Sequence, residues 1–174
     1  MTGTPYETTS LAIPGGTVVV VVDPDDGAVV ASGFSGLDTV FGLLTEAEQA
    51  RGHREVPPSE ATVRPVVDAL TAYADGDLAA LDTVAVRQPG GPFMQRAWDQ
   101  LRGVKAGETD SYAGLARRAG SPDAVRAAGQ ACARNRVAPF VPCHRIVRTD
   151  GSLGGYAYGL PVKAALLAHE GALL

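Results

Sequence analysis

The chain has 174 residues and a net charge of −4; at 45% hydrophobic and 20% charged its composition is ordinary for a globular protein, so disorder is not the default. Its longest apolar run, TVVVVV, is far too short to span a bilayer, and MTGTPYETTSLAIPGG lacks the basic and apolar regions of a signal peptide. A cytoplasmic protein that does not engage a membrane is therefore expected.

TVVVVVDPDDGAVVASGF (17–34) predicts a β-hairpin, because two β-branched runs flank a turn of Pro, Asp and Gly. Residues 38–50 predict a weak helix with Val40, Phe41 and Leu44 on one side, and REVPPSEA (54–61) a loop. Val63, Val66, Val67, Leu70 and Tyr73 form an i, i+3, i+4, i+7 stripe, so a helix follows, with Gly76 after its end. LDTVAVR (81–87) reads as a short strand, and QPGGP (88–92) breaks the chain. The charge changes sign at the same place. Residues 1–90 hold 4 basic and 13 acidic side chains (net −9), and 91–174 hold 11 and 6 (net +5). A domain boundary is placed there: 1–90 and 91–174. The basic half either meets a polyanion or attracts the acidic half.

The second half is mostly helical. Phe93, Met94, Ala97, Trp98 and Leu101 line one face of a helix. Ser111 starts another, stopped by Gly120, and Ser121-Pro122 restarts a third over 122–134 that buries Val125, Ala128 and Cys132. Two short helices around a tight turn, the second rich in small residues, make a helix-turn-helix pattern that αα-hairpins share.

The chemistry concentrates in VPCHRIV (141–147). A cysteine is a nucleophile as a thiolate, and a histidine is the side chain best suited to take its proton near neutral pH. Adjacency alone leaves open a buried structural cysteine beside a surface histidine, since neighbours on a strand face opposite ways. Glu170, on the otherwise apolar PVKAALLAHEG, needs a polar partner if buried and would satisfy His144. The only cysteines, Cys132 and Cys143, are no disulfide framework, and neither has a second ligand at metal-binding spacing, so no metal is expected.

VPCHRIV, with Asn135 before it and GSLGGYAYGLPVKAALLAHEG after it, resembles the O6-alkylguanine-DNA alkyltransferase (methylated-DNA–protein-cysteine methyltransferase) family. FMQRAWDQLRGVKAGETDSYAGLARRAGSPDAVRAAG extends the likeness over 91–174, and LTAYADGDL (70–78) resembles the end of that family's N-terminal domain. The resemblance implies an α/β N-terminal domain with a small, mainly antiparallel sheet. It also implies a mostly α-helical, winged-helix-like C-terminal domain containing the helix-turn-helix. It implies single-turnover DNA repair, with the alkyl group of O6-alkylguanine passing irreversibly to Cys143 through a Cys143–water–His144–Glu170 relay. Asn135 would brace the cysteine turn. Tyr112 would act on the flanking phosphate and the flipped base, and Arg126 would fill the vacated stack. Ala127, Gly129, Ala131 and Arg134 complete the implied DNA-binding face, and Val141, Tyr156, Ala157 and Tyr158 the substrate pocket. The implied partner is double-stranded DNA carrying O6-alkylguanine, with no cofactor, and a monomer is expected.

The family pattern is broken at Arg136, where a proline is usual, and at Gln130, Ala157 and Tyr158. Tyr158 is expected to narrow the pocket, so that methyl lesions react faster than benzyl ones. Competing readings are a lesion-sensing protein that binds alkylated bases without transfer, a papain-type Cys-His hydrolase, and a regulatory DNA-binding domain.

Overall fold

A computed structural model describes residues 3–172. Strands β1 (Tyr6–Ile13), β2 (Gly16–Val22) and β3 (Val29–Gly33) pair antiparallel in sequence, and β4 (His53–Glu55) adds parallel to β1, giving the order β3-β2-β1-β4. The hairpin expected over 17–34 is present. The unbroken valine run of β2 follows from burial of both faces of the sheet. Val18, Val20 and Val22 join the main core, while Val19 and Val21 pack with Tyr6, Val30, Val40 and Leu44 on the other side.

The helix expected over 38–50 is two pieces, α1 (Leu37–Phe41) and α2 (Glu46–Gln49). Thr45 divides them by acting as a capping box with Glu48. Its hydroxyl accepts the Glu48 N–H at 3.2 Å, and Glu48 accepts the Thr45 N–H at 2.7 Å. Helix α3 (Arg64–Ala74) buries the predicted stripe against the sheet. The strand expected at 81–87 is a 3-10 turn, Ala80–Thr83, followed by a single bridge from Val86 to Val29. Arg87 then anchors to the hairpin turn through Asp23, at 2.7 Å.

The second half holds α4 (Pro92–Leu101), β5 (Asp110–Ser111), α5 (Tyr112–Arg118), α6 (Val125–Ala133), β6 (Ile146–Val147) and α7 (Leu160–His169); β5 and β6 pair parallel. Ser111 caps α5 through the Gly114 N–H at 2.9 Å. Helix α6 begins at Val125 rather than at Pro122. The Ser121 N–H returns to the Ala116 carbonyl and closes α5, while Ala124, not Ser121, holds the N-cap position of α6. Val125 is consequently exposed (40%), and Ala128 and Ala131 are the residues α6 buries.

The two halves are joined along β3. The Ser32 N–H donates to the Arg136 carbonyl at 2.8 Å, and the Ser32 hydroxyl to the Ala138 carbonyl at 2.7 Å, which covers what would be an open sheet edge. Arg136 makes a two-pronged ion pair with Glu48 at 2.9 Å on each side.

Candidate active site

Cys143, His144 and Arg145 form one buried 3-10 turn between Pro142 and β6. Side chains in such a turn fan out about 120° apart, rather than alternating between two faces as on a strand. Cysteine and histidine can therefore serve one site from adjacent positions.

Behind the turn lies Glu170, at the C-terminal end of α7, with only 4% of its surface exposed. Its Oε2 accepts from His144 Nε2 at 2.8 Å, the Tyr73 hydroxyl at 2.6 Å and Arg145 Nη2 at 3.1 Å; its Oε1 accepts from Arg145 Nε at 2.9 Å. Burial alone would raise the Glu170 carboxyl, but the bonds from His144 and Arg145 outweigh it and hold the carboxyl at about 2. For His144 burial dominates and lowers its proton affinity, against the upward pull of Glu170, so the imidazole is neutral at pH 7. An ionised carboxylate only accepts, so the imidazole proton sits on Nε2 and the lone pair on Nδ1. His144 Nδ1 is buried and has no hydrogen-bond partner among the described residues.

In front of the turn, Asn135 Nδ2 donates to Cys143 Sγ at 3.3 Å and to the Val141 carbonyl at 2.8 Å. Burial pushes the Cys143 thiol up, and the Asn135 bond and the Lys163 charge draw it down without cancelling that rise. The resting sulfur is a thiol that needs a base. Cys143 opens into a cavity of about 450 Å³ lined by Tyr112, Gly129, Cys132, Ala133, Cys143, Arg148, Gly154, Gly155, Tyr156 and Ala157. Burial raises the Tyr112 phenol, which keeps it protonated and able to donate. Gly154 has φ +74°, and a Cβ there would lie 3.0 Å from the Tyr112 hydroxyl, so both backbone and space exclude a larger residue.

The predicted residues are therefore brought together in part. Asn135 bonds Cys143 and Glu170 bonds His144, two pairs anchored on neighbouring residues of one turn, and Tyr112, Gly129, Tyr156 and Ala157 line the cavity. Arg126 is exposed on α6, Arg134 is exposed at its C-cap and Ala127 is half-buried. Ala131 is not on the outer face; it is fully buried, and its carbonyl accepts from the Trp98 indole at 2.9 Å. The Val141 carbonyl is held by Asn135 and by the Cys143 N–H at 2.9 Å, which occupies both of its lone pairs and leaves none to read a base.

Tyr158 does not narrow the cavity. It turns to the N-terminal sheet, donating to the Ser32 carbonyl at 3.3 Å and stacking edge-on with Phe34 and Tyr156. Gly33 makes room for it: a Cβ there would stand 2.0 Å from the Tyr158 oxygen.

Three contributors escaped the sequence reading. Tyr73 looked like the last member of an apolar stripe, and Arg145 like an extension of the Cys-His motif. Lys163 is wholly buried and donates to the Ile146, Leu153 and Gly155 carbonyls, tying the cavity loop to the strand after the reactive turn. A lone lysine in the apolar PVKAALLA was the available signal.

Residues 92–172 match the family model described as 6-O-methylguanine DNA methyltransferase, DNA binding domain. A methylated-DNA–protein-cysteine methyltransferase of Mycobacterium bovis is 36% identical over 150 residues, covering 86% of this chain and 89% of the relative. The chain belongs to the methylated-DNA–protein-cysteine methyltransferase family. The family's Salmonella typhimurium member is 42% identical over 107 residues, 62% of this chain, and the match spans 63% of that relative's length. The fold agrees with a crystal structure of Mycobacterium tuberculosis OGT in complex with DNA, at TM-score 0.73 and 29% identity, covering 96% of this chain and 92% of that one.

Proposed function

We propose that this protein repairs duplex DNA by taking the alkyl group from O6-alkylguanine onto Cys143, once per molecule. The observation that carries the reading is that Cys143, which lines a cavity, is followed in the same buried turn by a neutral His144. Ionised Glu170 fixes the tautomer of that histidine so that Nδ1 is the basic nitrogen. The thiol proton passes through a bridging water to Nδ1. The Sγ–carbon bond forms as the carbon–O6 bond breaks, and guanine leaves with its developing charge met by a hydrogen bond from the Tyr112 hydroxyl, then neutralised by a proton from solvent as the imidazolium gives its own back. The thioether product has no leaving group that water could displace, so the cysteine is not regenerated. Glu170 stabilises the imidazolium as it forms without itself taking the proton.

The cavity is bordered by α6, the second helix of the helix-turn-helix, so an extruded base would enter beside the helix that contacts DNA. Exposed Arg126 and Arg134 supply positive charge for the backbone and for the gap in the stack. The protein is proposed to act as a monomer, in the cytoplasm, without cofactor.

The test is incubation with duplex containing O6-methylguanine, followed by mass analysis of the peptide bearing Cys143. A methyl group on that peptide, absent in Cys143→Ala although the variant still binds DNA, is the expected result. Methyl on Cys132, or none on either cysteine, would overturn the assignment; lesion binding without transfer would identify a damage sensor.

A further inference from the structure

Asn135 has two ends that differ chemically, and only one suits the sulfur. An amide N–H pointing at Cys143 stabilises a thiolate, whereas an amide oxygen repels it. The orientation can be traced back through unambiguous backbone groups. The Val137 N–H, which can only donate, meets Asn135 Oδ1 at 3.2 Å, and the Val141 carbonyl, which can only accept, meets Nδ2 at 2.8 Å. A further partner reaches Oδ1 from the connection between the two halves: Gln88 Nε2, at 3.0 Å. The direction of Gln88 is itself fixed, because its Oε1 accepts the Arg136 N–H at 2.9 Å. Gln88 and Asn135 are both buried, so neither amide can exchange these partners for water.

We infer that Gln88 is a positioning residue for Cys143. By donating to Asn135 Oδ1 it holds the amide with Nδ2 on the sulfur, so the nucleophile always faces an N–H donor. The inference rests on the alkyl-transfer reading only for its consequence in repair; the effect on the thiol stands by itself. It also gives the segment joining the halves a part in the chemistry. The backbone of Arg136 fixes Gln88 while the side chain of Arg136 grips Glu48 in the N-terminal half.

Other charged or titratable groups surround this chain of bonds. Lys163 and Glu170 approach the Cys143 turn from the α7 side, Tyr112 from α5 and Cys132 from α6. Arg148 and Tyr156 approach from the cavity loop, and His144 and Arg145 from the turn itself. Gln88 borders a polar recess with Arg87, Asp99 and Arg102. None of these groups bonds the Gln88 side chain, so the uncharged Gln88→Met reports on the Asn135 bond, whereas Gln88→Glu adds direct repulsion of the thiolate.

The experiment compares the full-length protein with Gln88→Glu and Gln88→Met, at temperatures where circular dichroism shows each folded. Iodoacetamide incorporation at Cys143 is followed against pH by mass analysis of its peptide, which also separates it from Cys132. In Gln88→Glu one carboxylate oxygen still accepts from Arg136, but the other opposes Asn135 Oδ1 in the alkaline range where Cys143 titrates. The midpoint is expected to rise by about one pH unit, which makes alkylation roughly tenfold slower at a fixed pH below it. Gln88→Met removes the donor without adding repulsion, and its midpoint is expected to rise less. A bracing role alone would lower thermal stability and leave the Gln88→Met midpoint where it was; coincidence of that midpoint with the parent's overturns the inference. Methyl transfer from O6-methylguanine duplex is measured in parallel. If the parent transfers nothing, the functional reading fails while the thiol titration still decides the role of Gln88.

Discussion

The two sides of Cys143 are built on opposite rules. Behind it, His144, Arg145, Glu170 and Tyr73 share four hydrogen bonds in a buried region, with Arg145 only 2% exposed. In front of it, the cavity is walled by small and aromatic residues together with Arg148, and the buried Tyr156 hydroxyl has no partner among the described residues. The rear has committed its polar groups to one another, and the front keeps them for something that arrives. A buried charge cluster of this kind is not evidence of net stabilisation, because burying the ions costs about as much as pairing them returns. What the cluster does is hold one tautomer of His144, the residue beside Cys143 in the same turn.

The contrast predicts where damage should be felt. The largest stability loss should come from Glu170→Gln, which keeps the shape but leaves the Arg145 guanidinium buried without a counterion. A loss of about 3–5 kcal/mol in denaturant unfolding is expected, with transfer falling as well because His144 loses its fixed tautomer. A change below about 1 kcal/mol would mean that the rear is wetter and looser than its geometry.

Acid should act through the same group. The unfolded Glu170 carboxyl takes its proton near its ordinary value of 4.5 and the folded one near 2. The stabilisation is therefore complete above about pH 4.5 and is lost as pH falls towards 2. A tenfold difference in proton affinity is worth ~1.4 kcal/mol, so Glu170 contributes roughly 3 kcal/mol to this acid limb. Glu48 beside Arg136 is also held at about 2, and so is Asp23 beside Arg51; both add to the same limb. In Glu170→Gln the slope of stability against pH between 4.5 and 2 should be shallower than in the parent.

On the front, Arg126→Ala should cost activity and not stability, since the side chain is exposed. If it fills the stack, transfer from duplex DNA should slow at least ~10-fold, because extruding a base costs a few kcal/mol. Reaction with free O6-alkylguanine base should be nearly unchanged, and equal losses on both substrates would show that Arg126 braces its helix. The smallest effect is expected for Tyr158→Phe. Losing the bond to Ser32 should lower stability by about 0.5–1.5 kcal/mol and leave the ratio of methyl to benzyl transfer where it was. A changed ratio would return Tyr158 to the cavity wall.

Sequence by itself determined the elements whose signal is local. Five consecutive valines, a stripe at helical spacing and a serine cap each specify φ/ψ preferences and a buried face within a few residues, and these survive in β2, α3 and α5. The PCHR motif and its distant Glu170 were legible because a glutamate in an apolar helix demands a partner. Strands β1 and β4 were not legible: YETTSLAI and HRE carry little apolar alternation, and they are strands because β2 offers an edge to pair with. Tertiary structure alone decided that Tyr73, 97 residues before Glu170, donates to it. It alone decided that Gln88, from a segment read only as a chain break, fixes Asn135, and that Tyr158 leaves the cavity for the space above Gly33. Hydrogen bonds between distant segments leave no periodic trace in the sequence, because each needs only one suitable side chain and a fold that delivers it.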